Sequence, residues 1–124
     1  MKLDKDVEIL WQDRIRHFGM PISFTKYILA RKDDLWIKLF IKKGFLTTQI
    51  DEVNIYRIYD LSTFVSLGAK IFKCGTVELY CDDASHQKIN LTNIKNPYKV
   101  HRLFADLIEQ EKKNRRFYIS EIQN

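Results

Sequence analysis

The chain has little of what marks a disordered, secreted or membrane-spanning protein. Its 124 residues include two prolines and four glycines, too few for a disordered or low-complexity chain. No apolar run approaches the ~18 residues that cross a bilayer. Residues 1–8 mix charged and apolar side chains and lack the apolar core of a signal peptide. We therefore expect a cytoplasmic protein that lies, at most, at the periphery of a membrane.

Cysteines and familiar catalytic motifs are also scarce. Cys74 and Cys81 are expected to be reduced thiols, and their spacing within one regular strand would direct them to opposite faces, which disfavours a disulfide. The three histidines lack the close spacing of zinc ligands. No phosphate-binding glycine loop or nucleophile motif occurs. The sequence predicts no enzyme, no metal site and no cofactor.

What the chain does have is a moderate excess of positive charge. The formal net charge is +5, which favours acidic partners such as phosphates, anionic lipid or nucleic acid. A net charge of about 2–8 is also usual for small soluble domains. The excess by itself therefore does not select a partner.

One stretch near the carboxyl end predicts a helix that the rest of the chain must cover. Asn96 suits the N-cap, and Pro97 suits the first helical position. Five apolar residues then recur at the spacing of one helical stripe: Val100, Leu103, Phe104, Leu107 and Ile108. This pattern predicts an amphipathic helix over about residues 96–113.

The preceding residues show the signals of short strands separated by turns. Apolar and polar residues alternate, and turn residues recur at intervals of about 8–12 residues. Residues 7–11 are predicted to be a first short strand or a docking arm. The other predicted strands cover residues 22–31, 35–43, 45–53, 58–66, 74–81 and 88–92. Residues 12–21 are predicted to be a loop, and residues 67–73 a longer connection or a short helical turn. The fold class is therefore mainly β with one C-terminal α-helix, in a single domain over residues 1–116. Residues 1–6 are expected to be flexible and residues 117–124 to form a tail.

Six separated blocks then carry a family resemblance. They are LWQDR at 10–14, GMPISFTKY at 19–27, GFL at 44–46, YRIYDLS at 56–62, GTV at 75–77 and LTNIKNP at 91–97. In this order they resemble bacterial pleckstrin-homology (PH-like) domains, which are related to the domains of YdbS-type membrane proteins. The resemblance implies a barrel of about seven antiparallel strands in two near-orthogonal sheets, capped by the helix. It carries no catalytic residues, and it implies a binding or scaffolding module.

Residues 35–43 suggest a binding face, because alternate residues of a strand point to opposite sides. One side is predicted to be core: Leu35, Ile37, Leu39 and Ile41. The side expected to meet water alternates aromatic residues with lysines: Trp36, Lys38, Phe40 and Lys42. Aromatic residues contribute strongly to protein interfaces, so we expect these four residues to engage a protein partner or a second copy of the chain. The alternatives are contact with lipid or nucleic-acid bases, or cover by Leu3, Trp11 or the C-terminal tail.

A second hypothesis from the sequence is an anionic ligand, either a phospholipid headgroup or a nucleic acid. Four lysines are candidates to bind it: Lys42, Lys43, Lys70 and Lys73. Salt distinguishes the two hypotheses, because phosphate-led binding weakens steeply as salt rises whereas binding through aromatic residues hardly responds.

Overall fold

A computed structural model describes the backbone of residues 6–123 and the side chains of residues 6–115. The predicted flexibility of residues 1–6 lies outside this range except for Asp6. Cover of the Trp36 face by Leu3 or by side chains of the C-terminal tail also lies outside it.

Seven strands form two antiparallel sheets. The number of strands agrees with the sequence pattern, and the two sheets agree with what the resemblance implies. The first sheet has four strands in chain order: β1 (Val7–Arg14), β2 (Lys26–Lys32), β3 (Trp36–Lys43) and β4 (Gln49–Asn54). The second has three: β5 (Ile58–Phe64), β6 (Cys74–Cys81) and β7 (Lys88–Lys95). Across residues 6–123 no strand ladder joins the two sheets. A 3-10 turn, Ile55–Arg57, leads from the first sheet to the second.

The main core draws side chains from both sheets and from the C-terminal helix. Alternation along β3 buries Ile37, Leu39 and Ile41 on the side of the first sheet that faces the main core. Fully buried residues from the other elements join them: Leu29, Val53, Ile55, Ile58, Val77, Leu79, Leu91, Ile94 and Phe104. The core is therefore continuous from one sheet to the other, with the helix packed against β5, β6 and the 3-10 turn.

Two helices complete the fold. The short helix α1 (Leu67–Ile71) lies between β5 and β6, where a helical turn is predicted, and the Ser66 side chain caps it by accepting from the Ala69 N–H. The long helix α2 (Pro97–Gln123) buries most of its predicted apolar stripe and leaves Leu103 partly buried. It continues well beyond the predicted end near residue 113, through the backbone of residues 117–123.

The start of α2 is capped differently from the prediction. Asn96 has a φ of +52° instead of the extended conformation of an N-cap residue. Its backbone carbonyl accepts from the N–H groups of Lys99 and Val100. Asparagine tolerates the left-handed conformation better than most residues, so it suits this turn through its backbone.

Several strand boundaries differ from the predictions for a common reason. β1 continues through residues 12–14, which were expected to be loop, whereas β2 begins only at Lys26 and β4 only at Gln49. Leu35, predicted to be core, lies in the β2–β3 turn and is 72% exposed. A residue with a high strand propensity joins a strand only where a neighbouring strand can pair with it. The residues of the turns and loops have no such neighbouring strand.

Candidate functional site

The face of β3 that was expected to meet water is partly buried. Phe40 is only 7% exposed, because it packs on Ile28, its partner in register on β2, and on the nearby Ala30. The prediction that Phe40 faces water is therefore wrong. Trp36 is half-buried at the margin of this small cluster. The centroid of its ring lies 5.9 Å from the centroid of the Phe40 ring.

The lysines of this face are partly engaged. The Lys38 ammonium lies 5.0 Å from the ring centroid of Trp36 and 3.1 Å from a carboxylate oxygen of Glu52. Lys42 is half-buried near the end of β3. Trp11, one of the residues proposed to cover the face, instead packs in the main core with its ring edge on Phe104. The assignment of Trp36, Lys38, Phe40 and Lys42 to a partner interface stays a prediction.

The four candidate anion-binding lysines lie in two places. Lys42 and Lys43 end β3, and Lys43 lines a groove beside Asp51 and His86. Lys70 lies in α1 and Lys73 follows it, and both line a different cavity. Lys43 and the pair Lys70 and Lys73 thus line different cavities, and both pairs of lysines flank the same set of strand connections.

These connections meet at one end of the molecule, which we call the loop end. It consists of the β1–β2 loop (residues 15–25), the β3–β4 turn (44–48) and the β5–β6 connection with α1 (65–73). Phe18 of the first segment packs edge-on against Phe72 of the third, with ring centroids 6.0 Å apart. Phe24 of the first packs on Phe45 of the second at 4.8 Å. The β1–β2 loop therefore joins the other two segments.

Large apolar side chains are concentrated at the loop end. Of the fifteen exposed large hydrophobic residues that the described chain contains, nine lie in these three segments. They form what we call the apolar rim: Phe18, Met20, Ile22, Phe24, Phe45, Leu46, Leu67, Ile71 and Phe72. Their exposures run from 41% for Phe72 to 92% for Leu46. Exposed apolar side chains concentrated in this way are typical of an interaction site.

Hydrogen bonds from two arginine side chains hold the β1–β2 loop in place. Gly19 has a φ of +81°, and a Cβ there would lie 3.3 Å from the Phe72 ring. The Arg16 guanidinium donates to the Gly19 carbonyl at 2.8 Å, and the Arg14 guanidinium donates to the Ser23 carbonyl at 3.0 Å. The loop presents its apolar residues on a hydrogen-bonded frame.

The sequence segments that carry the apolar rim contain formal charges of one sign. Residues 14–26, 42–50 and 65–77 contain no aspartate or glutamate. They contain seven cations: Arg14, Arg16, Lys26, Lys42, Lys43, Lys70 and Lys73. Of the carboxylates just outside these segments, Asp13 is buried and accepts from the Lys95 N–H at 2.9 Å and from Arg16. Asp51 faces His86 at 3.9 Å. The loop end therefore combines exposed apolar side chains with an excess of cations in the same segments.

Residues 6–115 contain no group of three or more His, Cys, Asp or Glu side chains placed to hold a metal ion. Cys74 and Cys81 are buried free thiols. Burial raises the pKa of the Cys81 thiol to about 11 and also raises the pKa of Cys74.

Comparison of the chain with protein-family models, with curated proteins and with solved structures finds no match in any of the three. The resemblance to bacterial PH-like domains thus stays a prediction. No helix in the part of the chain that the structure describes is long and apolar enough to cross a bilayer.

The sequence pattern did not predict the apolar rim. Ile22, Phe24, Phe45 and Leu46 were assigned to strands, where apolar residues are expected to turn inward. The turn-forming residues gave a signal. Gly19 and Pro21 precede Ile22 and Phe24, and Gly44 precedes Phe45 and Leu46. Apolar residues directly after such breakers are candidates for loop tips.

Proposed function

We propose that the protein is a non-catalytic binding module whose loop end engages a negatively charged partner surface. In this proposal the two sheets form a PH-like barrel of near-orthogonal sheets, and α2 caps it. The observation that carries the proposal is the pairing of nine exposed apolar residues with seven cations in three segments that contain no carboxylate.

The exposed side chains of the apolar rim are unfavourable in water. Exposed apolar surface is favourable only when a partner removes it from water. The cations behind the rim add attraction at a distance and would steer an acidic surface toward it. The same charge disfavours self-association through this end, because two copies meeting face to face would bring like charges together.

A polyanion column tests the electrostatic part of the proposal. The variant with Lys42→Gln and Lys43→Gln should elute from immobilised heparin at clearly lower salt than the wild-type protein. The matched control changes Lys112→Gln and Lys113→Gln, an adjacent pair on α2 that removes the same charge. Because both variants have the same net charge, any difference reports position. Equal elution of the two variants would overturn the proposal.

The face of Trp36 is the second candidate, for a protein partner or for self-association. Trp36 is flanked by the exposed Leu35, and Ile9 and Ile50 on the outer strands are each 46% exposed. Sedimentation equilibrium tests this idea with Trp36→Ser, compared with Tyr98→Ser on α2 as a control for loss of an exposed aromatic ring. A mass that shifts only in the Trp36 variant supports the interface. Identical masses for wild type and both variants exclude self-association through this face.

A further inference from the structure

We infer that His86 forms a protonation-dependent bridge that fastens the second sheet to the first. Across residues 6–123 no strand ladder joins the two sheets, so side-chain contacts between them matter. His86 lies in the β6–β7 turn (residues 82–87) and reaches Asp51 on β4 of the first sheet. The inference is independent of the proposed function, because no residue of the apolar rim takes part in it.

Each nitrogen of the His86 imidazole faces one carboxylate. Nε2 lies 3.9 Å from Oδ2 of Asp51, and Nδ1 lies 4.0 Å from Oδ2 of Asp83 in its own turn. We call these three side chains the His86 bridge. Within residues 6–115, Nδ1 is the one buried side-chain nitrogen or oxygen without a hydrogen-bond partner.

This arrangement fits the charged ring better than the neutral ring. A neutral imidazole has one donor and one acceptor nitrogen, so one of its nitrogens would face a carboxylate lone pair to lone pair. The imidazolium donates from both nitrogens. The orphaned Nδ1 therefore gains a partner in Asp83 when His86 is protonated, while Nε2 donates towards Asp51.

The two carboxylates are held in position to receive the ring. Asp83 accepts from the N–H of Ser85 at 2.9 Å through its side chain and from the N–H of His86 at 3.2 Å through its carbonyl. The Gln49 amide donates to both carboxylate oxygens of Asp51. Both imidazole–carboxylate distances exceed that of a hydrogen bond, so protonation can shorten each by about 1 Å.

Partial burial gives this charge weight. The side chains of the His86 bridge are between 22% and 26% exposed, and charges interact more strongly there than in bulk water. The groove between the sheets that His86 lines also contains Lys43 of β3, Lys88 of β7 and the Tyr27 ring of β2. Carboxylate, lysine and tyrosine side chains keep their charge state between about pH 5 and pH 8, whereas an imidazole changes its charge there.

The direction of the pH effect follows from the geometry. The charged ring is attracted to both carboxylates only in the folded protein. The His86 bridge therefore stabilises the fold at about pH 5.5, where the ring is charged, and this contribution is lost as the pH rises to about 8.

Urea denaturation of the wild-type protein and of His86→Gln measures the bridge. Glutamine keeps a hydrogen-bond donor and an acceptor but carries no charge. The ratio of the two unfolding equilibrium constants, variant over wild type, should be about 3- to 10-fold larger at pH 5.5 than at pH 8. The matched control His17→Gln removes an exposed imidazole from the β1–β2 loop, and its ratio should change by less than about twofold. A ratio for His86→Gln that does not depend on pH overturns the inference.

The two carboxylates are tested separately. Asp51→Asn and Asp83→Asn each remove one of the two attractions, so each should reduce the pH-dependent excess to about two- to threefold. The control is Asp82→Asn, which removes the neighbouring exposed carboxylate of the turn and should leave the excess as in wild type. An unchanged excess in Asp51→Asn overturns the bridge between the sheets.

Amide hydrogen exchange reports the same bridge without any change of sequence. The N–H groups of Cys81 and Asp82 donate to the carbonyls of Gln87 and Arg57 at the base of the turn, so their exchange reports its local opening. After correction for the intrinsic rate, both amides should be about 3- to 10-fold better protected at pH 5.5 than at pH 8 in the wild-type protein. This gain should be absent in His86→Gln. Equal protection of the wild-type amides at the two pH values overturns the inference even where the variant fails to fold.

Discussion

Phe24 and Phe45 contact each other with ring centroids 4.8 Å apart, although they lie in different loops and are 59% and 72% exposed. Such a contact is made mostly in water and buries little of either ring. It holds the β1–β2 loop against the β3–β4 turn, so that two apolar tips are presented as one surface. The contact between Phe18 and Phe72 extends this surface to α1.

Stability should depend strongly on Phe104, the fully buried ring of α2 that packs against Trp11. Phe104→Ala should lower the free energy of unfolding by about 3–5 kcal/mol, because it leaves a cavity between the helix and the sheets. Urea denaturation measures the change. Tyr98→Ala, on the same helix and 65% exposed, is the control and should change stability little. A loss for Phe104→Ala as small as that of the control would contradict the capping role of α2.

Two glycines should respond to alanine with opposite signs. Gly19→Ala should lower the free energy of unfolding by about 1–2 kcal/mol, because the φ of +81° is unfavourable for alanine and the Phe72 ring is close. Gly68→Ala should raise it by about 0.5–1 kcal/mol, because Gly68 is helical and a Cβ there meets nothing within 4 Å. Equal effects in urea denaturation would show that the β1–β2 loop is not held in this conformation.

The hydrogen bond from the Tyr80 hydroxyl to the Glu78 carboxylate, 2.7 Å long, should be visible in a titration. It lowers the pKa of Glu78 below its ordinary value of 4.5, with Lys88 contributing in the same direction. Because the folded-state pKa is depressed, the associated stability is present above pH 4.5 and is lost as the pH falls through the folded-state value. Tyr80→Phe should raise the pKa of Glu78 in carboxyl-carbon NMR titration. An unchanged value would mean that the hydrogen bond does not form.

The native thiols should be unreactive in the folded protein. Burial of Cys74 and Cys81 blocks access, and the raised pKa values keep both thiols protonated near neutral pH. Because folding favours the protonated thiol, its contribution to stability is present below the ordinary pKa of 9.0 and is lost as the pH rises towards about 11. A thiol reagent should detect both cysteines in urea and neither in buffer. Rapid reaction in buffer would contradict the burial of these strands.

The two faces of β3 show which burial the apolar periodicity predicts correctly and which it does not. The alternation identified Ile37, Leu39 and Ile41 as core, and all three are buried. The same alternation placed Phe40 in water, yet Phe40 is nearly as buried, because Ile28 and Ala30 of β2 lie beside it. Periodicity along one strand reports which residues share a face. It carries no information about the neighbouring strand, which decides how much of that face is covered.

The sequence by itself determined the features whose signals are local: the apolar stripe of α2, the approximate number of strands and the absence of carboxylates near the connections. The tertiary structure alone decided that the three connections meet at one end and that Ile22 and Phe24 are loop residues. The physical reason is that strand pairing is non-local. Which apolar residues turn outward depends on where each ladder ends, and the ladder depends on a partner strand elsewhere in the chain.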